Sequence, residues 1–133
     1  IWYAGGEVDL NRGLIKHAGI REENIRLNDC VTDYVTGCCM FFHSSTMGEL
    51  DGFDSRFNMY MEDVDLCLRA KQKGLDCYFL KKPTLYHKVS SSISLNSKIF
   101  KMIISYVKLS FKHTGVWSVF NIPLFLIRRL LSI

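Results

Sequence analysis

The segment 62–73 has the clearest alternation of apolar and polar positions in the chain. Val64, Cys67 and Leu68 recur at helical spacing, acidic residues fill the first turn, and Gly74 follows as a stop signal. The pattern therefore predicts one helix over this segment.

The strand predictions rest on apolar runs that are bounded by turn residues. Residues 34–42 are apolar throughout after Thr36-Gly37, which predicts the strongest and most buried strand. Residues 77–80 predict a short strand that ends near Pro83. The remaining predicted pieces are a strand end over 1–4 closed by a Gly5-Gly6 turn, a surface loop over 7–30 and an extended piece over 84–88.

Helices complete the predicted order. A short helix over 44–50 leads into a turn at Asp51-Gly52, and residues 89–97 form a serine-rich linker. Two helices are predicted beyond the linker, one from Lys98 to about Lys112 and one from about Val116 onward, kinked or started at Pro123.

This order of strands and helices predicts an α/β arrangement of layers. About three strands are too few for a complete α/β sheet, and the chain opens with Ile1 rather than with methionine. We therefore expect a piece of a longer protein, with part of a domain over 1–97 and a basic, amphipathic helical tail over 98–133.

Charge is divided unevenly along the chain. Residues 1–76 carry eight Lys or Arg against thirteen Asp or Glu, whereas residues 77–133 carry nine Lys or Arg and no acid. A basic and apolar tail favours an anionic surface, either lipid headgroups or phosphates. A solvated basic face is the simpler explanation of the charge alone. We expect no nucleic-acid partner.

The cysteines and the apolar stretches indicate the cellular compartment in which we expect the protein. The five cysteines, an odd number without a C-x-x-C pair, fit neither a disulfide framework nor a zinc site. Because no signal peptide is visible, we expect reduced thiols and a cytoplasmic location. The longest apolar stretch, 115–127, is interrupted by Asn121 and Pro123 and is too short for a transmembrane span.

The acidic run of Glu62, Asp63 and Asp65 is the main candidate for chemistry. Acids in the first turn of a helix stabilise it by about 0.3–1 kcal/mol each, so a structural role is the first alternative. The apolar and aromatic residues at 57–61 favour the second alternative, because a carboxylate at the mouth of an apolar cleft can serve as a general base.

Three other features offer weaker candidates. His87 could ligate Mn²⁺, or less readily Mg²⁺, if the other ligands came from elsewhere. The small residues Gly37-Cys38-Cys39 either pack against a helix or leave room for a substrate. Trp2 and Tyr3, beside Gly5-Gly6, could stack on a sugar, although aromatic residues at a strand end more often belong to the core.

Taken in order along the chain, these residues resemble the C-terminal half of a family-2 glycosyltransferase of the bacterial rhamnosyltransferase-like branch. The resemblance covers roughly residues 1–92, and its most specific part is the block at 59–70. The matching pieces are Trp2-Tyr3-Ala4-Gly5-Gly6, His17-Ala18-Gly19, Thr32-Asp33-Tyr34-Val35-Thr36-Gly37, Gly52-Phe53-Asp54, Met59-Tyr60-Met61-Glu62-Asp63-Val64-Asp65-Leu66-Cys67-Leu68-Arg69-Ala70, Gly74 and Tyr86-His87-Lys88.

The resemblance implies a GT-A fold, of which residues 1–97 would be the acceptor-side half. It implies inverting transfer of a sugar from a nucleotide-diphosphate donor to a saccharide or lipid-linked acceptor, in the synthesis of surface polysaccharide. Asp63 falls on the family's catalytic base and His87 on a frequent metal ligand. The substrate-binding residues expected from it are Glu62, Thr36, Gly37, Trp2, Gly5 and Gly6.

The same resemblance exposes what this chain lacks. The family's N-terminal half, with its nucleotide-binding strands and its Asp-x-Asp metal motif, is absent, so a divalent cation (Mg²⁺ or Mn²⁺) would need ligands outside this chain. We expect the chain to be inactive alone and Arg69 to form a structural ion pair. The tail 98–133 suits a peripheral enzyme at the inner face of the cell membrane, and exposed core edges favour homo-oligomers.

Two alternatives belong to other classes. A non-catalytic membrane-surface or interaction module would use the basic tail alone. A metal-dependent hydrolase would use the acidic cluster, and it ranks last because it needs more carboxylates or histidines on other segments than the chain offers.

Overall fold

The computed structural model describes residues 2–20, 27–86 and 94–131. The chain folds into two compact units, the first from residues 1–8, 16–54 and 62–88 and the second from residues 9–15, 55–61 and 89–133. The described strands are β1 (Gly6–Asp9), β2 (Leu14–His17), β3 (Cys30–Thr32) and β4 (Cys77–Phe79). The described helices are α1 (Ser44–Glu49), α2 (Glu62–Gln72), α3 (Leu95–Thr114) and α4 (Ser118–Leu131).

The sheets of this mixed α/β fold are small. Strands β1 and β2 form one two-stranded sheet. Strands β3 and β4 form a second, antiparallel one, in which Val31 lies opposite Tyr78. The α/β prediction is therefore confirmed in its coarser form, a mixed fold with C-terminal helices.

Helix α2 was predicted almost to the residue, because its signals are local. Gly74 adopts a positive φ of 76°, and the Leu75 amide donates to the Ala70 carbonyl at 3.0 Å, which closes the helix end. The apolar stripe of α2 contributes Leu66 and Ala70 to a core with Leu50.

The prediction of a buried strand over 34–42 is wrong. No residue of that segment lies in a strand, and Tyr34 forms only an isolated bridge with Gly6. The chain turns instead at Thr36, whose carbonyl accepts from the Cys39 amide at 3.3 Å. Phe41, which the prediction would bury, is 90% exposed. The β-branched Val31 and Thr32, just before this run, make the real strand β3.

The loop predicted over 7–30 is also wrong in its first half, which contains β1 and β2. A 3₁₀ turn at Leu10–Arg12 joins them, and Gly13 completes it with a φ of 60° and an amide that donates to Leu10 at 3.1 Å. The strand end predicted over 1–4 is displaced, since β1 begins at Gly6 where the Gly5-Gly6 turn was expected. The extended piece over 84–88 shows no strand up to Tyr86, and its last two residues lie outside the described part.

The second unit is built around α3 and α4, with polar contacts to the segment 55–61. The Ser105 hydroxyl donates to the Met59 carbonyl at 2.7 Å, and Lys108 Nζ donates to the Arg56 carbonyl at 2.8 Å. The Tyr106 and Phe125 rings stack with centroids 3.7 Å apart. Helix α3 begins at Leu95, slightly before the predicted start, and α4 begins at Ser118 with Pro123 inside it.

In the part of the chain that the structure describes, no helix combines the length and the apolar character needed to cross a membrane.

Candidate active site

The Asp63 carboxylate stands at the N-terminal end of α2 and is held by two backbone amides. Its Oδ2 accepts from the Gly37 amide at 2.8 Å, and its Oδ1 accepts from the Val64 amide at 2.9 Å. The helix start favours negative charge at this place. The first contact joins two segments that the sequence separates by 26 residues, and it fixes the direction in which Asp63 points.

Gly37 and Thr36, two predicted substrate-binding residues, therefore lie beside the predicted base. Gly37 is exposed, and a Cβ placed on it would meet the Asp63 Cβ at 3.5 Å, an ordinary contact. Thr36 is buried, with 6% of its surface exposed. The Gly37 backbone thus acts as the clamp for Asp63, whereas Thr36 anchors the turn that carries it.

Glu62 differs from its neighbour in having a carboxylate oxygen without a partner. Its Oε2 is buried and, among the described residues, accepts no hydrogen bond. Burial raises the pKa of Glu62 above its ordinary value of 4.5, and the nearby Asp63 charge raises it further, against a backbone hydrogen bond that lowers it. This unsatisfied oxygen belongs to the residue beside the predicted base, and it disfavours the charged form of Glu62.

Replacement of Glu62 by Gln should stabilise the protein near neutral pH. Because the folded-state pKa is raised, the protonated form of Glu62 favours the fold. That contribution is fully present below the ordinary value of 4.5 and is lost as pH rises through the raised pKa. Urea unfolding of wild type and Glu62→Gln at about pH 4 and about pH 7 measures it. We expect the free energy of unfolding of Glu62→Gln to exceed that of wild type at about pH 7 but not at about pH 4.

Glu49→Gln makes the same chemical change at an exposed position and serves as the control. A Glu62→Gln effect that is the same at both pH values would contradict the burial of this charge.

Asp65, the third acid of the run, has a structural role. Its side chain is completely buried, and its Oδ2 accepts from Arg69 Nε at 2.8 Å, one helical turn later. The same guanidinium donates to the carbonyls of Leu50 and Gly52. The structural ion pair predicted for Arg69 is therefore present, and it ties α2 to the turn that follows α1.

An aromatic cluster that includes the predicted Trp2 surrounds His17. The His17 ring lies edge-on to Trp2 at 4.9 Å, to Tyr3 at 5.3 Å and to Tyr34 at 5.8 Å. The Tyr3 hydroxyl donates to the Tyr34 carbonyl. Burial raises the pKa of Tyr34, and the Asp63 charge adds to the shift. The cluster therefore lies within electrostatic reach of the candidate base.

His17 is the site residue that sequence reasoning missed. Burial lowers its pKa, while a hydrogen bond to the Trp2 backbone and the Asp63 charge act in the opposite direction. Its Nδ1 is buried without a partner among the described residues. The only sequence signal for His17 was its place in the weak His17-Ala18-Gly19 motif, to which the resemblance assigns no chemical role.

Gly5 and Gly6 line a separate open depression of ≈ 270 Å³, together with Ala4, Glu7, Ala18, Cys30, Val31, Thr32 and Asp33. Asp63 does not line it. The Gly6 amide donates to Thr32 Oγ1 at 2.6 Å, and the Thr32 hydroxyl donates to the Gly6 carbonyl at 2.8 Å. These two hydrogen bonds give Gly6 a packing role, in addition to the substrate-binding role predicted for it.

Gly6→Ala should destabilise the fold by about 1–3 kcal/mol, because the added group overpacks a filled site. A Cβ on Gly6 would lie 2.1 Å from Tyr34 Cε1, and Tyr34 is 2% exposed. Gly48→Ala is the matched control, since a Cβ there meets nothing within 4 Å and alanine favours a helix by about 0.5–1 kcal/mol. Equal unfolding free energies for the two variants would contradict this packing.

The metal prediction is not tested by the described residues. His87 lies outside them, and within them no three His, Cys, Asp or Glu side chains come together as a donor set. The five cysteines are free thiols.

Comparison with known proteins shows which enzymes this chain is similar to. The chain is 30% identical over 105 residues to the N-acetylglucosaminyl-diphospho-decaprenol L-rhamnosyltransferase of Mycobacterium tuberculosis, in strains CDC 1551 and H37Rv, a match that covers 73% of this chain and 33% of that protein. It is 35% identical over 66 residues to rhamnosyltransferase WbbL of Escherichia coli K12, a match that covers 50% of this chain and 25% of that protein.

The matched part thus spans about a third of the length of the first two relatives. No family model and no solved structure matches the chain. The resemblance to the rhamnosyltransferase-like branch of the family-2 glycosyltransferases is confirmed: this chain is related in sequence to part of those enzymes.

Proposed function

We propose that this chain forms the acceptor-side half of a GT-A glycosyltransferase, which moves a sugar with inversion from a nucleotide-diphosphate donor to a lipid-linked saccharide. The observation that carries the proposal is the Asp63 carboxylate, which two backbone amides orient at the start of α2. The relationship to rhamnosyltransferases supports the class of reaction.

In the proposed step, Asp63 acts as the general base. It takes the proton from an acceptor hydroxyl while that oxygen forms a bond to the anomeric carbon of the donor. The bond from this carbon to the diphosphate oxygen breaks, and the nucleoside diphosphate leaves with the electron pair. Attack on the face opposite the leaving group inverts the configuration at the anomeric carbon.

The neighbouring groups would position the acceptor. Glu62 is only partly buried, and its carboxylate would accept a hydrogen bond from a second acceptor hydroxyl. Trp2, which is 39% exposed, offers an aromatic face to a sugar ring. Thr36 and Gly37 keep the base in place, whereas Gly5 and Gly6 line a separate depression.

The donor and the acceptor are proposed from the names of the relatives. The mycobacterial relative is named for L-rhamnosyl transfer to an N-acetylglucosaminyl-diphospho-decaprenol. We extend this to a nucleotide-diphospho-deoxyhexose donor and to an acceptor sugar on a polyprenyl diphosphate. A divalent cation would neutralise the diphosphate leaving group. The described residues offer no donor set for a cation, and we derive no step through it.

The test uses the complete protein that carries this sequence. It is incubated with a nucleotide-diphospho-L-rhamnose and N-acetylglucosaminyl-diphospho-polyprenol, and the product is analysed by mass spectrometry and by NMR of the new glycosidic bond. We expect one added deoxyhexose with inverted anomeric configuration. Retention of configuration would overturn the single displacement, and release of free sugar without transfer to the lipid would overturn the acceptor assignment.

A further inference from the structure

Helix α4 buries mainly polar side chains and exposes large apolar ones, which is the reverse of a surface helix in a water-soluble protein. Two of its three buried side chains are the polar Ser118 and Asn121. Asn121 Nδ2 donates to Thr114 Oγ1 at 2.9 Å, and the Ser110 hydroxyl donates to Asn121 Oδ1. Hydrogen bonds therefore join α3 and α4 beside the Tyr106–Phe125 stack, and most of the large apolar residues of α4 are left outside.

These outward residues form one continuous face, which we call the α4 apolar face. Phe120, Leu124, Ile127 and Leu131 are between 42% and 83% exposed. Their spacing of i, i+4, i+7 and i+11 places them within about 60° of one another around the helix. Trp117, which is 65% exposed, precedes this face. Large apolar side chains gathered in this way mark an interaction surface.

Charge distinguishes between the partners that could cover this face. No acidic residue occurs from position 77 to the end of the sequence, against nine Lys or Arg. Lys101 on α3 and Arg129 on α4 are exposed. A second copy docked through the same face would bring two basic tails together, whereas an anionic lipid surface complements both the charge and the apolar character.

We propose that the α4 apolar face inserts into the interface of an anionic membrane leaflet, with the helix axis parallel to the surface. None of the described helices has the length and apolarity of a membrane span, and helices with a wide apolar face and flanking cations lie in the interface instead. The apolar side chains would enter the boundary of the acyl chains, while the basic side chains of α3 and α4, Lys101 and Arg129 among them, would be attracted to the anionic headgroups.

This inference stands apart from the proposed glycosyl transfer, because it rests on the second unit and on none of the site residues. The two proposals are compatible, since an enzyme held at the leaflet would meet a polyprenyl-linked acceptor at its own surface. Failure of the transfer assay would leave the membrane proposal intact, and the reverse also holds.

The experiment is flotation of the complete protein with vesicles of phosphatidylcholine, with and without phosphatidylglycerol. We expect binding to the anionic vesicles. Phe120→Ser with Ile127→Ser should weaken this binding about tenfold or more. Lys101→Gln with Arg129→Gln should weaken it by up to about fivefold for each charge removed. Val31→Ser with Phe41→Ser changes two exposed apolar residues of the first unit and should bind as wild type does.

A second measurement reports on Trp117 directly. The difference in fluorescence between the protein and its Trp117→Phe variant should shift to shorter wavelength when anionic vesicles are added, because the indole leaves water. Equal binding of the Phe120/Ile127 variant and wild type would overturn the proposal. So would a change from dimer to monomer in that variant without a loss of vesicle binding, since the face would then be a contact between copies.

Discussion

Asp63→Asn in the complete protein is expected to lower the kcat of sugar transfer by about 10²–10⁴, with little change in KM. Asn keeps an oxygen that can accept from the Gly37 amide, which the carboxylate binds at 2.8 Å in wild type. The Gly37 contact should therefore survive, whereas the variant loses the contact with the Val64 amide and the ability to take a proton from the acceptor. Initial rates at varied acceptor concentration separate the two parameters.

Asp51→Asn is the matched control for this experiment. Asp51 is an exposed acid at a turn with a φ of 56°, a conformation that Asn tolerates well. The control should transfer sugar as fast as wild type does. A near-native kcat for Asp63→Asn, with unfolding midpoints unchanged, would show that another group is the base.

Arg69→Met is expected to lower the free energy of unfolding by about 3–5 kcal/mol, because it leaves a buried carboxylate without its guanidinium. Asp65 is fully buried, and Arg69 also donates to the backbone carbonyls of Leu50 and Gly52. The substitution therefore removes three contacts at once. Urea unfolding, followed by circular dichroism, measures the loss.

Lys71→Met provides the contrast two residues further along the same helix. Lys71 Nζ lies 2.8 Å from Asp33 Oδ1, but the Lys71 side chain is 63% exposed. An exposed pair of this kind contributes only about 0.2–1 kcal/mol. If the two variants lost similar amounts of unfolding free energy, the burial of Asp65 would not strengthen its ion pair with Arg69.

The two predictions divide the acidic run by function. Asp65 points into the first unit and stabilises it, whereas Asp63 and Glu62 are only partly buried at the helix start. Asp33 shows the same physics in another place: burial alone would raise its pKa, but hydrogen bonds from Lys71 and from the Val8 amide outweigh burial and lower it. Partners, rather than residue type, decide what each acid does.

The helices were predictable because their signals are local. In α2 the acidic first turn, the apolar stripe and Gly74 all lie within thirteen consecutive residues. The strands could not be predicted in the same way, because strand pairing depends on residues far apart in the sequence. Val31 of β3 finds its partner at Tyr78 of β4, and nothing near Val31 indicates this choice over the more apolar run at 34–42.

The sequence by itself determined the start and end of α2, the position of Asp63 in a motif of glycosyltransferases and the uneven division of charge. Only the tertiary structure decided which acid is structural, because the partners of Asp65 and Arg69 include the backbone of a distant turn. It also decided that the Gly37 amide clamps Asp63 and that His17 joins the aromatic cluster. Hydrogen bonds and ring contacts between remote segments form only when the chain is folded, so no local pattern encodes them.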